Sequence, residues 1–125
     1  MKIYSFEDLK VWQLARVLSK EIYIATKQFP DDERFGLTSQ LRRAVVSVCS
    51  NLAEGSSRNS FKDKARFTEI AYGSLMEVLN QLIIASDLDF LSHQNYEKLR
   101  LQIEEISNML NGLRKSQLKN IVINP

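Results

Sequence analysis

Along the chain, apolar residues return every three or four positions and nowhere alternate, so the pattern predicts helices and no strand. Over about residues 6–28, Val11, Leu14, Ala15, Leu18, Ile22, Ala25 and Phe29 share one helical face. Ser5, with Asp8 three residues on, reads as an N-cap. Phe29-Pro30 ends that helix, because the residue before a proline is driven out of the helical region. Pro30-Asp31-Asp32-Glu33 predicts a short turn of its own, with acids at its positive end. A second helix covers about 38–54 and stops at Gly55, read as a left-handed cap. After the turn at 55–59, Ser60 caps a third helix over about 60–86, with Asp63 as its partner. Ser92 opens the fourth, about 92–117, whose seam Tyr96, Leu99, Ile103, Ile106, Leu110, Leu113 steps in threes and fours. Residues 119–125 read as a loose tail. Four helices joined by short links predict one domain over residues 1–125: an all-α, antiparallel up-down-up-down four-helix bundle.

The width of each apolar face adds to this picture. A core-facing stripe needs only about 100° of a helix. On the second helix, Leu41, Ala44, Val45, Val46, Val48, Cys49, Leu52 and Ala53 sweep roughly 200°. On the third, the arc that includes Phe61, Leu75, Met76, Leu79 and Ile83 sweeps roughly 180°. The first helix leaves Trp12 off its main stripe. That is more apolar surface than one small bundle hides, which makes Val46, Cys49, Met76, Leu79, Ile83 and Trp12 the candidate oligomer interface.

Composition narrows the chemistry. At 44% apolar residues the chain carries enough for a single packed core. A net charge of +2 is too near balance to argue by itself for a nucleic-acid or membrane partner. One cysteine allows no internal disulfide. No stretch approaches the roughly 20 apolar residues of a membrane span. Glu7 and Asp8 turn the N-terminus acidic where a signal peptide would be apolar, so a soluble, cytoplasmic protein is expected. His93 is the sole histidine and no Glu-x-x-His occurs, which removes the usual di-metal ligand set of helix bundles. Cys49 sits on an apolar arc, as a small hydrophobe would. Glycine-rich phosphate loops are missing as well. No catalytic residue, metal, cofactor or small-molecule substrate is expected.

Two polar groupings remain. Gln40, Arg43, Ser47, Asn51 and Glu54 line the second helix opposite its apolar arc. They read either as a polar site between helices or as a solvated face with ordinary ion pairs. Pairing the second and third helices about a turn near Ser57 brings Arg43 within one turn of Glu77 and Glu54 within one turn of Arg66. Arg43 and Glu77 are therefore expected to be partners or bridged neighbours. The other grouping, Arg58, Lys62, Lys64 and Arg66, holds Asp63 as its one acid and is the candidate nucleic-acid contact. Arg114, Lys115 and Lys119 form a second basic group. Phe61 and Phe67 belong to the apolar arc, so this patch would grip backbone rather than stack on bases. An oligomer would repeat the patch and multiply weak contacts.

Several blocks in order carry a family resemblance. They are Phe6-Glu7-Asp8-Leu9-Lys10-Val11-Trp12; Phe29-Pro30 with Glu33-Arg34-Phe35-Gly36-Leu37; Gln40-Leu41-Arg42-Arg43-Ala44 with Ser47; Asn51-Leu52-Ala53-Glu54-Gly55; and Ala71-Tyr72-Gly73-Ser74-Leu75-Met76-Glu77. Over nearly its whole length the chain resembles the bacterial four-helix bundle proteins encoded within intervening sequences of 23S ribosomal RNA genes. The resemblance implies an up-down bundle assembled as a homopentamer. It also implies a fixed structural network at Gln40, Arg43, Ser47, Asn51, Glu54 and Glu77. A related group, the accessory proteins of diversity-generating retroelements, forms basic pentameric barrels that engage nucleic acid and a reverse transcriptase. The combined reading is a non-catalytic oligomeric bundle serving as a nucleic-acid-associated accessory protein that meets RNA or DNA. The competing reading is a structural or protein–protein interaction module without nucleic acid.

Overall fold

The computed structural model describes residues 1–121. Four helices account for most of them: α1 Lys10–Thr26, α2 Leu37–Ser56, α3 Phe61–Asp87 and α4 His93–Lys119. Short 3-10 turns at Ser5–Asp8 and Asp31–Glu33 precede α1 and α2, and no strand occurs among the described residues. Each helix packs on the next and α4 closes back onto α1, with α2–α3 the most extensive contact. Leu18 and Ile22 of α1, Leu41 and Val48 of α2, Leu75 and Leu82 of α3, and Ile103, Ile106 and Leu110 of α4 are fully buried where the four stripes meet. Burying a leucine or isoleucine side chain stabilises by about 1.5–3 kcal/mol, so this inner layer holds the bundle together.

Several helix ends fall where their caps place them. Ser60 Oγ accepts from the Asp63 amide at 3.1 Å, and Ser92 Oγ accepts from the Asn95 amide at 3.1 Å. The proline turn forms, and Glu33 reaches forward so that its Oε1 accepts from the Leu37 amide at 3.1 Å, at the positive end of α2. α3 ends in a Schellman motif: the Phe90 amide donates to the Ala85 carbonyl at 2.9 Å and the Asp89 amide to Ser86 at 3.0 Å. Asp89 takes the left-handed position usually held by glycine, with φ 61°.

Three expectations change. Ser5 does not cap α1: it belongs to a 3-10 turn, Leu9 is extended with ψ 114°, and the helix begins at Lys10. That break folds Phe6 back edge-on to Trp12 at 5.0 Å between ring centroids. Gly55 is not a left-handed cap, since no described glycine has positive φ and α2 runs on through Ser56. A methyl group there would stand 2.8 Å from Phe67 Cβ, so glycine serves the close approach of α2 and α3. Helix α4 reaches Lys119, which the sequence pattern places in the tail; Asn120 caps it, and residues 122–125 lie outside the described residues.

Candidate functional site

The polar stripe of α2 forms a seam with α3. Ser47 Oγ lies 2.8 Å from Ser74 Oγ, while Asn51 Nδ2 donates to the Ser47 carbonyl at 2.8 Å and its hydroxyl at 3.0 Å. Further along, Gln81 Nε2 donates to Gln40 Oε1 at 3.3 Å and Glu77 Oε2 at 3.2 Å. Gln81 is only 5% exposed, and its own Oε1 is buried with no partner among the described residues. At the other end Lys64 Nζ donates to the Ser56 carbonyl at 3.1 Å. The seam joins Gln40, Ser47, Asn51 and Glu77 into hydrogen-bonded groups, but Arg43 is exposed and bonds to nothing among the described residues. The expected Arg43–Glu77 pair is not formed. Lys64 meets Ser56, Ser74 meets Ser47 and Gln81 meets Gln40, a register offset by about one helical turn from the expected one. The offset follows from α2 running past Gly55, which moves the turn between the helices. Glu54 pairs instead with Arg58 at 3.9 Å, a half-exposed contact of small energetic weight.

The four basic candidates divide into two pairs. Arg58 stands over the Phe67 ring at 4.7 Å from its centroid, and Lys64 is half-buried on the Ser56 carbonyl. Both are engaged in holding the α2–α3 end together. Lys62 and Arg66 are exposed, without partner among the described residues, and four apart on one face of α3. In the second basic group, Arg114 is taken up by Glu69, with Nε and Nη2 both 2.7 Å from the same carboxylate oxygen.

The interface candidates do not form one patch. Val46 and Cys49 lie on the α2 flank toward α1, where Cys49 Sγ is 3.5 Å from Ser19 Oγ. Met76, Leu79 and Ile83 share the α3 flank of Thr68, which donates to Gln117 of α4 at 2.7 Å. Trp12 is half-buried beneath Arg16, 5.5 Å from the ring centroid. Of the six only Val46 and Ile83 are exposed; the others pack against the protein's own core. Burial pushes the Cys49 thiol above its ordinary value, opposed by the Ser19 hydrogen bond and the Arg16 charge. Neutral at pH 7, it is a poor nucleophile.

Two features went unread in the sequence. Arg42, not Arg43, is the tethered arginine: its Nε donates to the buried Thr26 Oγ1 at 2.9 Å, and its guanidinium covers the Tyr23 ring at 4.6 Å. The signal was angular, since Arg42 falls within the apolar arc of α2, between Cys49 and Ala53, and Arg43 lies about 100° further round. Ser74 and Gln81 complete the seam from α3, and with Glu77 they form a three-four polar step visible in the chain. No group of three or more histidine, cysteine, aspartate or glutamate residues able to hold a metal occurs among the described residues. No described helix is long and apolar enough to cross a membrane.

A crystal structure of a protein of unknown function from the S23 ribosomal protein family of Bacteroides thetaiotaomicron is similar, with a TM-score of 0.76. It covers 84% of this chain and 98% of its own at 19% identity, so the likeness is one of fold. No curated protein matches the chain. The sequence pattern of the family described as 23S rRNA-intervening sequence protein matches residues 7–112. That span takes in α1, α2, α3, the polar seam and most of α4, and by it the chain belongs to the 23S rRNA-intervening sequence protein family.

Proposed function

We propose that this protein is a non-catalytic cytoplasmic bundle that assembles from identical copies and holds RNA or DNA by the sugar–phosphate backbone. The observation that carries the reading is the exposed Lys62–Arg66 pair, two cations with no internal partner among the described residues. Phosphate contacts are made by such free cations, and an assembly repeats them. The family's name ties its members to 23S ribosomal RNA intervening sequences, which favours nucleic acid over other polyanions. In this reading the helices run antiparallel, up-down-up-down. The seam supports that order, because the α3 partner number falls from 81 to 74 to 64 as the α2 number rises from 40 to 47 to 56. Five copies, and kinship to the accessory proteins of diversity-generating retroelements, follow from the sequence resemblance.

The test is a mobility-shift series with RNA and DNA at two salt concentrations, comparing wild type with a Lys62→Glu, Arg66→Glu double variant. Wild type binds both polymers weakly, with affinity falling steeply in salt; the double variant loses most binding at low salt and shows a shallower salt slope. Equal binding by the two proteins overturns the assigned patch. No binding by wild type at low salt leaves the protein-interaction reading, which the 66% exposure of Leu101 on α4 favours.

A further inference from the structure

Phe35 is 86% exposed, far more than any other phenylalanine described. Its exposure comes from a braced turn. The Glu33 amide donates to the Pro30 carbonyl at 2.9 Å, Arg34 to Asp31 at 3.1 Å and Gly36 to Glu33 at 2.9 Å. Glu33 Oε1 then ties the turn to the Leu37 amide. A methyl group at Gly36 would stand 2.8 Å from Glu33 Oε1 and push that carboxylate off the Leu37 amide, loosening the brace. An aromatic ring held out on a rigid turn has already lost much of the freedom that docking would otherwise take from it.

A recess of about 320 Å³ lies at the same end of the bundle. Ile24, Ala25, Phe90 and Leu99 supply its apolar part, beside a polar part from Gln28, Ser92 and Asn95 and the Glu21–Lys98 pair, 3.8 Å apart. The two features are at one end because Phe29, at the start of the link that carries Phe35, packs on Phe90 at 5.7 Å between centroids. They are on different sides of that end. All lining residues but one come from α1, α4 or the link before α4, Gln28 standing just past the end of α1, whereas the turn carrying Phe35 packs on α2. Both surfaces carry both signs: Arg34, 5.9 Å from the Phe35 ring, stands with Asp31, Asp32 and Glu33 on the turn, and the recess offers Lys98 and Glu21 to answer them.

We infer that Phe35 of one copy seats in the Ile24–Phe90–Leu99 recess of the next. Knob and hole on different sides make a head-to-tail contact, and such contacts close into rings when the rotation permits. Knob and hole at one end of the bundle satisfy the equal-height condition for a ring whose axis runs along the helices. This inference rests on the self-association proposed above and adds the surface by which it occurs.

Sedimentation velocity at micromolar concentration tests it on wild type, Phe35→Asp and Ile24→Arg. Both substituted side chains are exposed, so the helical circular dichroism stays that of wild type. Wild type sediments well above twice 14.4 kDa, and each variant alone at 14.4 kDa, its contact weakened on the order of thirtyfold or more. Mixed, the variants form a one-to-one pair, because the intact knob of Ile24→Arg meets the intact hole of Phe35→Asp. Assembly of Phe35→Asp like wild type overturns the inference, and so does a mixture that stays monomeric. A monomeric wild type overturns the self-association reading itself.

Discussion

The α2–α3 pair and the α1–α4 pair do opposite things with similar material. Between α2 and α3, Gly55 lets the backbones close on Phe67, and the facing polar groups meet in Ser47–Ser74, Gln40–Gln81 and Ser56–Lys64 contacts. Between α1 and α4, the ion pair Glu21–Lys98 at 3.8 Å links two partly exposed side chains beside a recess. Nearby, Val17 and Ile24 of α1 are about half exposed. Close backbone approach and paired side chains make a contact that excludes competitors. A contact that stops short of closing leaves surface for something else, and Phe35 of a second copy is the occupant inferred for it.

The largest effect expected on this contrast comes from Gly55→Ala, which sets a methyl group against Phe67 Cβ with no flexible side-chain end to yield. It costs about 1–3 kcal/mol, read as a lower thermal midpoint, despite the better helix propensity of alanine. Gly73→Ala is its control: nothing lies within 4 Å, so the same change stabilises by about 0.5–1 kcal/mol. If both changes destabilise equally, the close α2–α3 approach is not what Gly55 serves.

Next comes the pair of neighbouring arginines. Arg42→Ala removes a half-exposed bond to buried Thr26 and the cover over Tyr23, costing about 0.5–1.5 kcal/mol, since Thr26 keeps its bond to the Ile22 carbonyl. Arg43→Ala shifts the midpoint by under about 0.5 kcal/mol, as for a surface site without partners. Reversal of that order in chemical denaturation would return Arg43 to the network and displace Arg42 from it.

The smallest effect is at the open seam. Lys98→Ala breaks the Glu21 contact and changes stability by under about 0.5 kcal/mol, since exposed ion pairs carry little. A larger loss would mean that α1 and α4 are fastened by charge.

Much of this was legible in the chain, and the rest was hidden for identifiable reasons. The four helices, the serine caps at Ser60 and Ser92 and the α4 seam follow from periodicity and local hydrogen bonding, which act over a few residues. Gly55 was misread because a glycine that ends a helix and one that admits a neighbouring helix look the same in sequence. The register of α2 on α3 depends on that turn, so an error there moved the expected heights; the Arg43–Glu77 pair fails for a different reason, because Arg43 turns to solvent while Glu77 accepts from Gln81. The apolar arcs of α2 and α3 were wide, yet Cys49, Met76 and Leu79 proved to pack against their own core. Phe35 escaped as a site because a residue in a non-periodic link has no pattern to place it inside or outside.

Hydrogen exchange followed by mass spectrometry across a protein concentration series tests the contrast most directly, since protection reports local opening segment by segment. With increasing concentration, peptides from the start of α4, the second half of α1 and the turn at 30–36 gain protection as copies dock. Peptides from the facing sides of α2 and α3, already closed within one copy, stay unchanged. Protection independent of concentration throughout, or a gain confined to α2 and α3, would contradict the account.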